Sequence, residues 1–269
     1  MDECPGLVLD DVGLQQELTT AGLNALLGGA TAAAFRVVRG EPAGAALDAF
    51  WQGAVGGGFV YAGKRLTVER FDGAGLLGRE LASVGGSMIR NVSAGQALLD
   101  ELVLPIGPVR LYVSKDRGVV PKVDLSTLVV SGAFMATYGA RLDLATSLSA
   151  GSLVFRGSSP MPGLSAAGVT MLWSDLPASE GPRLMAHERV HTVQYDQMFL
   201  MWGERLERWA TKPISRSRLS GLFDGVDLGL SALGLGAGLT LALDYHSRPW
   251  EQEAYLLAQR VYPVPSPGH

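Results

Sequence analysis

With 269 residues the chain is long enough to bury a large core in one or two domains. A formal net charge of −4 and a pI near 5.6 argue against nucleic acid as its main partner. Cys4 is the only cysteine, which excludes an intramolecular disulfide and a cysteine zinc cluster.

The opening residues, MDECPGLVLDD, are acidic and lack the basic stretch of a secretory signal. Residues 13–40 and 43–63 read as two helices rich in small residues, joined by a turn at Gly40, Glu41 and Pro42. Small residues along an apolar helix let backbones approach closely, as in membrane helix pairs. The apolar run 23–35 is too short to span a bilayer, and Asp48 and Gln52 interrupt the second run. A buried hairpin in a soluble core is therefore the competing reading. Composition leans toward membrane contact. The 35 glycines are about twice the usual share, only 18 % of residues are charged, and mean hydropathy is +0.20. Residues 73–95 look helical with breaks at their glycines.

The character changes at residue 103. Pro105, Gly107 and Pro108 punctuate the start, and the segments 109–114, 122–138, 141–157 and 167–174 then alternate apolar and polar residues. Turn residues separate them at Asp116-Arg117-Gly118, Gly139-Ala140 and Gly157-Ser158. This pattern predicts an antiparallel sheet of about four to six strands. It divides the chain into a Gly/Ala-rich helical region, 1–102, and a region of sheet and chemistry, 103–269.

The chemistry lies in His187-Glu188-Arg189-Val190-His191, an H-E-x-x-H that uses two of the four histidines. Pro182 suits a first helical turn with Ser179 as its cap, and no Gly or Pro interrupts 183–202. On a helix, residues four apart share a face, so both imidazoles point the same way. That spacing suits one Zn²⁺ held by two ring nitrogens. Glu188 sits beside such a metal, placed to take a proton from an attacking water and return it to a leaving amine.

Downstream, Arg216 and Arg218 precede an uncharged, leucine- and glycine-rich run, 228–243, slightly short for a spanning helix. Pro249 is placed to start a further helix with Glu251, Ala254 and Tyr255 on one face and Glu253 turned away into solvent. Here the chain resembles the gluzincin branch of zinc metallopeptidases. In that branch a glutamate ligand follows on a second helix, often as E-x-x-A-D; this sequence reads Glu251-Gln252-Glu253-Ala254-Tyr255. Tyr255 replaces the Asp that orients a zinc-binding histidine from behind. The sixty-residue gap from His191 to Glu251 looks more like the membrane-embedded CAAX-type proteases. His191-Thr192-Val193-Gln194 is also similar to the H-E-x-x-H-x-x-Q-Q of a peptidase-like domain associated with contractile injection systems, with Tyr195 at the second Gln. The resemblance covers about residues 180–260.

It implies His187, His191 and Glu251 as zinc ligands, with His246 as the alternative third ligand, and Glu188 as general base and acid. Tyr245 and His246 are then candidate donors to an oxyanion. The expectation is an α+β zinc metallopeptidase: small-residue helices, an antiparallel sheet, a zinc helix and a glutamate helix. Its substrate is a peptide or protein, and its setting a membrane or the cell envelope, with the cytoplasm as alternative. The rival function is a non-catalytic binding or scaffold protein on a membrane. Glu188 argues for catalysis, since a purely structural site has no need of that carboxylate.

Overall fold

The computed structural model describes residues 11–158, 162–211, 225–229, 234 and 248–263. Three helices come first: α1 (Asp11–Val38), α2 (Ala43–Thr67) and α3 (Ala74–Ala94). α3 runs unbroken through its glycines, because those glycines are points of helix contact. A Cβ on Gly57 of α2 would lie 2.2 Å from the Asn24 carbonyl oxygen of α1, and one on Gly85 of α3 2.4 Å from the Gly56 oxygen of α2. Backbone-to-backbone packing of this kind offsets the helical cost of glycine, about 1 kcal/mol each. The outward faces are not polar. Leu23, Leu26, Leu27 and Val37 on α1 are exposed, as are Leu47, Trp51, Val55 and Phe59 on α2. Among the described residues, α1 alone is long and apolar enough to cross a bilayer, and only 28 % of its apolar window is buried.

The architecture is α+β, but the sheet region departs from the single antiparallel sheet expected. One four-stranded sheet has the order β1 (Glu101–Ile106), β2 (Val109–Ser114), β3 (Gly118–Asp124), β8 (Val226–Asp227). The other has the order β4 (Arg141–Leu142), β5 (Leu153–Gly157), β7 (Val169–Trp173), β6 (Gly163–Ala166). Both are mixed, with β3–β8 and β5–β7 parallel. Much of the alternating sequence is helical instead, as α4 (Leu125–Tyr138) and α5 (Leu144–Ala150). Local caps decide this. The Asp124 carboxylate accepts from the Thr127 N–H and hydroxyl, and Asp143 does the same with Thr146. Each satisfies donors that a helix start leaves unpaired. α4 turns Phe134 inward with Val130 and Tyr138 packed beside it, and buries Ser126, Thr127 and Ser131, while Leu128, Val129 and Met135 stay exposed.

α3 joins the helices to the first sheet. Ser83 donates to the Val103 carbonyl, Ser87 accepts from the Val103 N–H, and Asn91 donates to the Glu101 carbonyl. Spaced four residues apart, these side chains pair with the free edge of β1, a device that protects an edge strand. Arg79 of α3 reaches α6 (Gly181–Met198), where its Nε and Nη2 donate to Asp196 at 2.6 and 3.2 Å. α6 has Pro182 in its first turn as expected, but it begins at Gly181, Glu180 occupies the cap position without a side-chain hydrogen bond, and Ser179 does not cap. A π-helical turn, Phe199–Gly203, then leads into α7 (Glu204–Thr211), so the run expected to Trp202 changes pitch. The last helix, α8 (Pro249–Val261), packs on α6 through Ala186, Val190, Ala254, Leu257 and Ala258, with Val68 beneath. Arg216, Arg218, Tyr245, His246 and most of 228–243 lie outside the described residues.

Candidate metal site

α6 and α8 bring the expected residues together. His187 and His191 are one turn apart on α6, and Ala254, fully buried between the helices, lets α8 approach closely enough for Glu251 to meet them. The two Nε2 atoms are 3.0 Å apart, and Glu251 Oε2 lies 3.3 Å from that of His187 and 3.2 Å from that of His191. These three groups could hold a metal ion. The triangle suits zinc: bonds of about 2.0–2.1 Å in a tetrahedral site separate ligand atoms by about 3.3–3.4 Å. Two histidines and one glutamate also match a donor set of catalytic zinc, which leaves a fourth position open.

The neighbours support this geometry. Burial opposes ionisation of Glu251, but hydrogen bonds and charge from His187 and His191 outweigh it and hold the carboxyl far below the usual range. Burial likewise disfavours protonation of His191, and Glu251 and Glu188 reverse that effect and raise it. His191 Nδ1 is 2.7 Å from Gln194 Oε1. His187 Nδ1 has no hydrogen-bond partner among the described residues, and the Tyr255 ring packs 4.4 Å from the His187 ring, centroid to centroid. Tyr255 thus lies against a ring whose Nδ1 meets no acceptor among the described residues.

Comparison with family models, curated proteins and solved structures returned no match for this chain. The functional reading therefore rests on the site itself.

Glu188 follows His187 on α6. It is 5 % exposed, and burial pushes its carboxyl upward, with His191, a hydrogen bond from Ser165 and His187 opposing the shift. Its Oε2 has no hydrogen-bond partner among the described residues. The other oxygen faces β6, where a Cβ on Gly163 would come within 2.6 Å of Oε1. β6 is the last strand of its sheet, pairs with β7 through Ala166↔Val169, and turns tightly at Ala167-Gly168, both with positive φ. An edge strand thus runs directly against the Glu188 carboxylate.

Glu253 overturns its sequence reading. It is not a solvated helix residue: its carboxylate accepts from Lys64 at 2.8 Å, Asn24 at 2.7 Å and Gln194 at 2.9 Å. Burial raises its pKa, but these three donors, Lys64 foremost, outweigh it and lower the pKa. The sequence carried one hint. Lys64 is the first charge after Asp48 in an apolar helix, and a cation so placed calls for a buried partner.

Proposed function

We propose that the protein is a zinc-dependent peptide hydrolase of the gluzincin kind. One observation carries the reading: His187, His191 and Glu251 converge to within 3.3 Å of one another, beside a buried Glu188 that belongs to none of their contacts. His187, His191 and Glu251 would hold the metal. When bound, zinc supplies Lewis acidity and brings the pKa of water toward about 7. Glu188 takes the proton of the attacking water and delivers it to the departing amine. Its burial favours the protonated form once that proton arrives. β6 offers an extended peptide a row of main-chain donors and acceptors, and such pairing would lay a scissile bond near Glu188. Purified protein is expected to hold about one zinc per chain by elemental analysis. Protein that arrives without zinc and takes up none would end the metal reading and leave the binding-module alternative.

We further propose that the first two helices sit against a membrane. The support is the apolar outer face of α1 and α2, where Trp51 is 63 % and Phe59 38 % exposed. Faces of this extent are uncommon on soluble monomers. The chain is expected to float with neutral phosphatidylcholine vesicles. Replacing Trp51 and Phe59 by Gln removes roughly 3–6 kcal/mol of burial and should lower partitioning more than tenfold. Wild-type protein that stays monomeric and unbound in the vesicle assay would refute this location.

A further inference from the structure

Four helices meet behind the metal site in a chain of buried polar groups that the catalytic reading does not use. Lys64 of α2, 2 % exposed, donates to Glu253 Oε2 of α8 and to Asn24 Oδ1 of α1. Asn24 Nδ2 donates to Glu253 Oε1 and to the Thr20 carbonyl. Gln194 of α6 donates from Nε2 to Glu253 Oε2 at 2.9 Å and to the Trp250 carbonyl at 3.0 Å. Its Oε1 faces His191 Nδ1 at 2.7 Å.

The direction of each bond in this chain follows from what each group can donate or accept. An ammonium has three donors and no acceptor, so Lys64 fixes Glu253 and Asn24 Oδ1 as acceptors. Asn24 must then present its amide hydrogens to Glu253. The amide of Gln194 has two hydrogens, and two acceptors, Glu253 and the Trp250 carbonyl, meet them. Its carbonyl oxygen is therefore the atom that faces His191. An acceptor at Nδ1 requires a hydrogen there, which leaves the lone pair of the neutral ring on Nε2. Nε2 is the atom that faces His187 and Glu251.

We infer that Lys64, Glu253 and Gln194 are positioning residues that hold the ring proton of His191 on Nδ1, so that Nε2 is presented to the metal. This deepens the zinc reading proposed above and rests on it for its purpose. Partners of ligating histidines commonly change metal affinity by about 10–100-fold when removed. Asn24 and Lys64 lie on the hairpin with the apolar outer face, so the chain also ties that hairpin to the site.

The test uses the full-length, metal-free protein with ¹⁵N-labelled histidine at a pH where His191 is neutral. Wild type should show the Nδ1–H tautomer at His191. Gln194→Leu and Lys64→Met should shift His191 toward a mixture or the Nε2–H form. Both should bind zinc about 10–100-fold more weakly in chelator competition, while melting as cooperatively as wild type. The exchange variant Gln194→Glu/Glu253→Gln keeps one carboxylate and one amide in contact. It should restore the tautomer and most of the affinity relative to Gln194→Glu alone, which sets two carboxylates side by side. An unchanged Nδ1–H tautomer with wild-type affinity in both Gln194→Leu and Lys64→Met would overturn the inference, and so would failure of the exchange variant to improve on Gln194→Glu. A wild type that binds no zinc yet shows the expected tautomer changes would refute the metal reading and leave the positioning chain standing.

Discussion

Glu251→Ala is expected to empty the metal site, whereas Glu253→Ala weakens it without emptying it. Glu251 Oε2 is within 3.3 Å of both histidine nitrogens, and the variant leaves two ligands on one helix. Apparent binding energies of about 10–16 kcal/mol for four-ligand zinc sites put one ligand at roughly 3 kcal/mol, or about 10²–10³-fold in affinity. Among the described residues Glu253 reaches the metal ligands through Gln194, so its loss should cost about 10–100-fold. The check is zinc retained after dialysis against a calibrated chelator, with His246→Ala run beside both variants. Equal retention by Glu251→Ala and wild type would remove Glu251 from the ligand set. Emptying by His246→Ala alone would give the third position to that histidine.

The site was legible in the sequence because its signals are local. Four-residue spacing on a helix places His187 and His191 on one face, and Pro249 with Ala254 specifies a second helix able to come close. Neither inference needs knowledge of the tertiary fold. The network behind the site was not legible, because Asn24 and Glu253 are 229 residues apart and no local rule says which helix faces meet. Helical spacing turns Glu253 away from the histidine face, but spacing does not say what it meets there. It turns toward Lys64 and not toward water. The sheet failed for another reason. In 122–138 the apolar alternation suited a strand, while Asp124 and Thr127 formed a cap three residues apart. A cap satisfies backbone groups at once and commits the segment to a helix, whereas alternation needs a partner strand. The pairing of β5 with β7 in parallel depends on a crossover that no pattern within either strand records.

The largest effect on chemistry is expected from Glu188→Gln, which separates catalyst from scaffold. The carboxylate is not one of the three grouped donors, so the variant should keep wild-type zinc content. It should also keep the fold. Glu188 is buried with Oε2 unpaired, and an amide of nearly the same shape avoids burying a charge. A melting temperature equal to or above that of wild type is the expected sign. Peptide hydrolysis should fall by about 10²–10⁴-fold, the usual worth of a positioned acid or base, because an amide cannot accept the water's proton. The comparison is made at equal zinc content, since a lost metal would imitate a lost base. Membrane-anchored peptides come first as substrates, given the apolar face of α1 and α2, and soluble unfolded proteins second. Equal cleavage by wild type and variant would assign the activity to some other site. A zinc-loaded wild type that cleaves nothing across a broad peptide library would instead make this a binding module that keeps the metal and the buried carboxylate without hydrolysis.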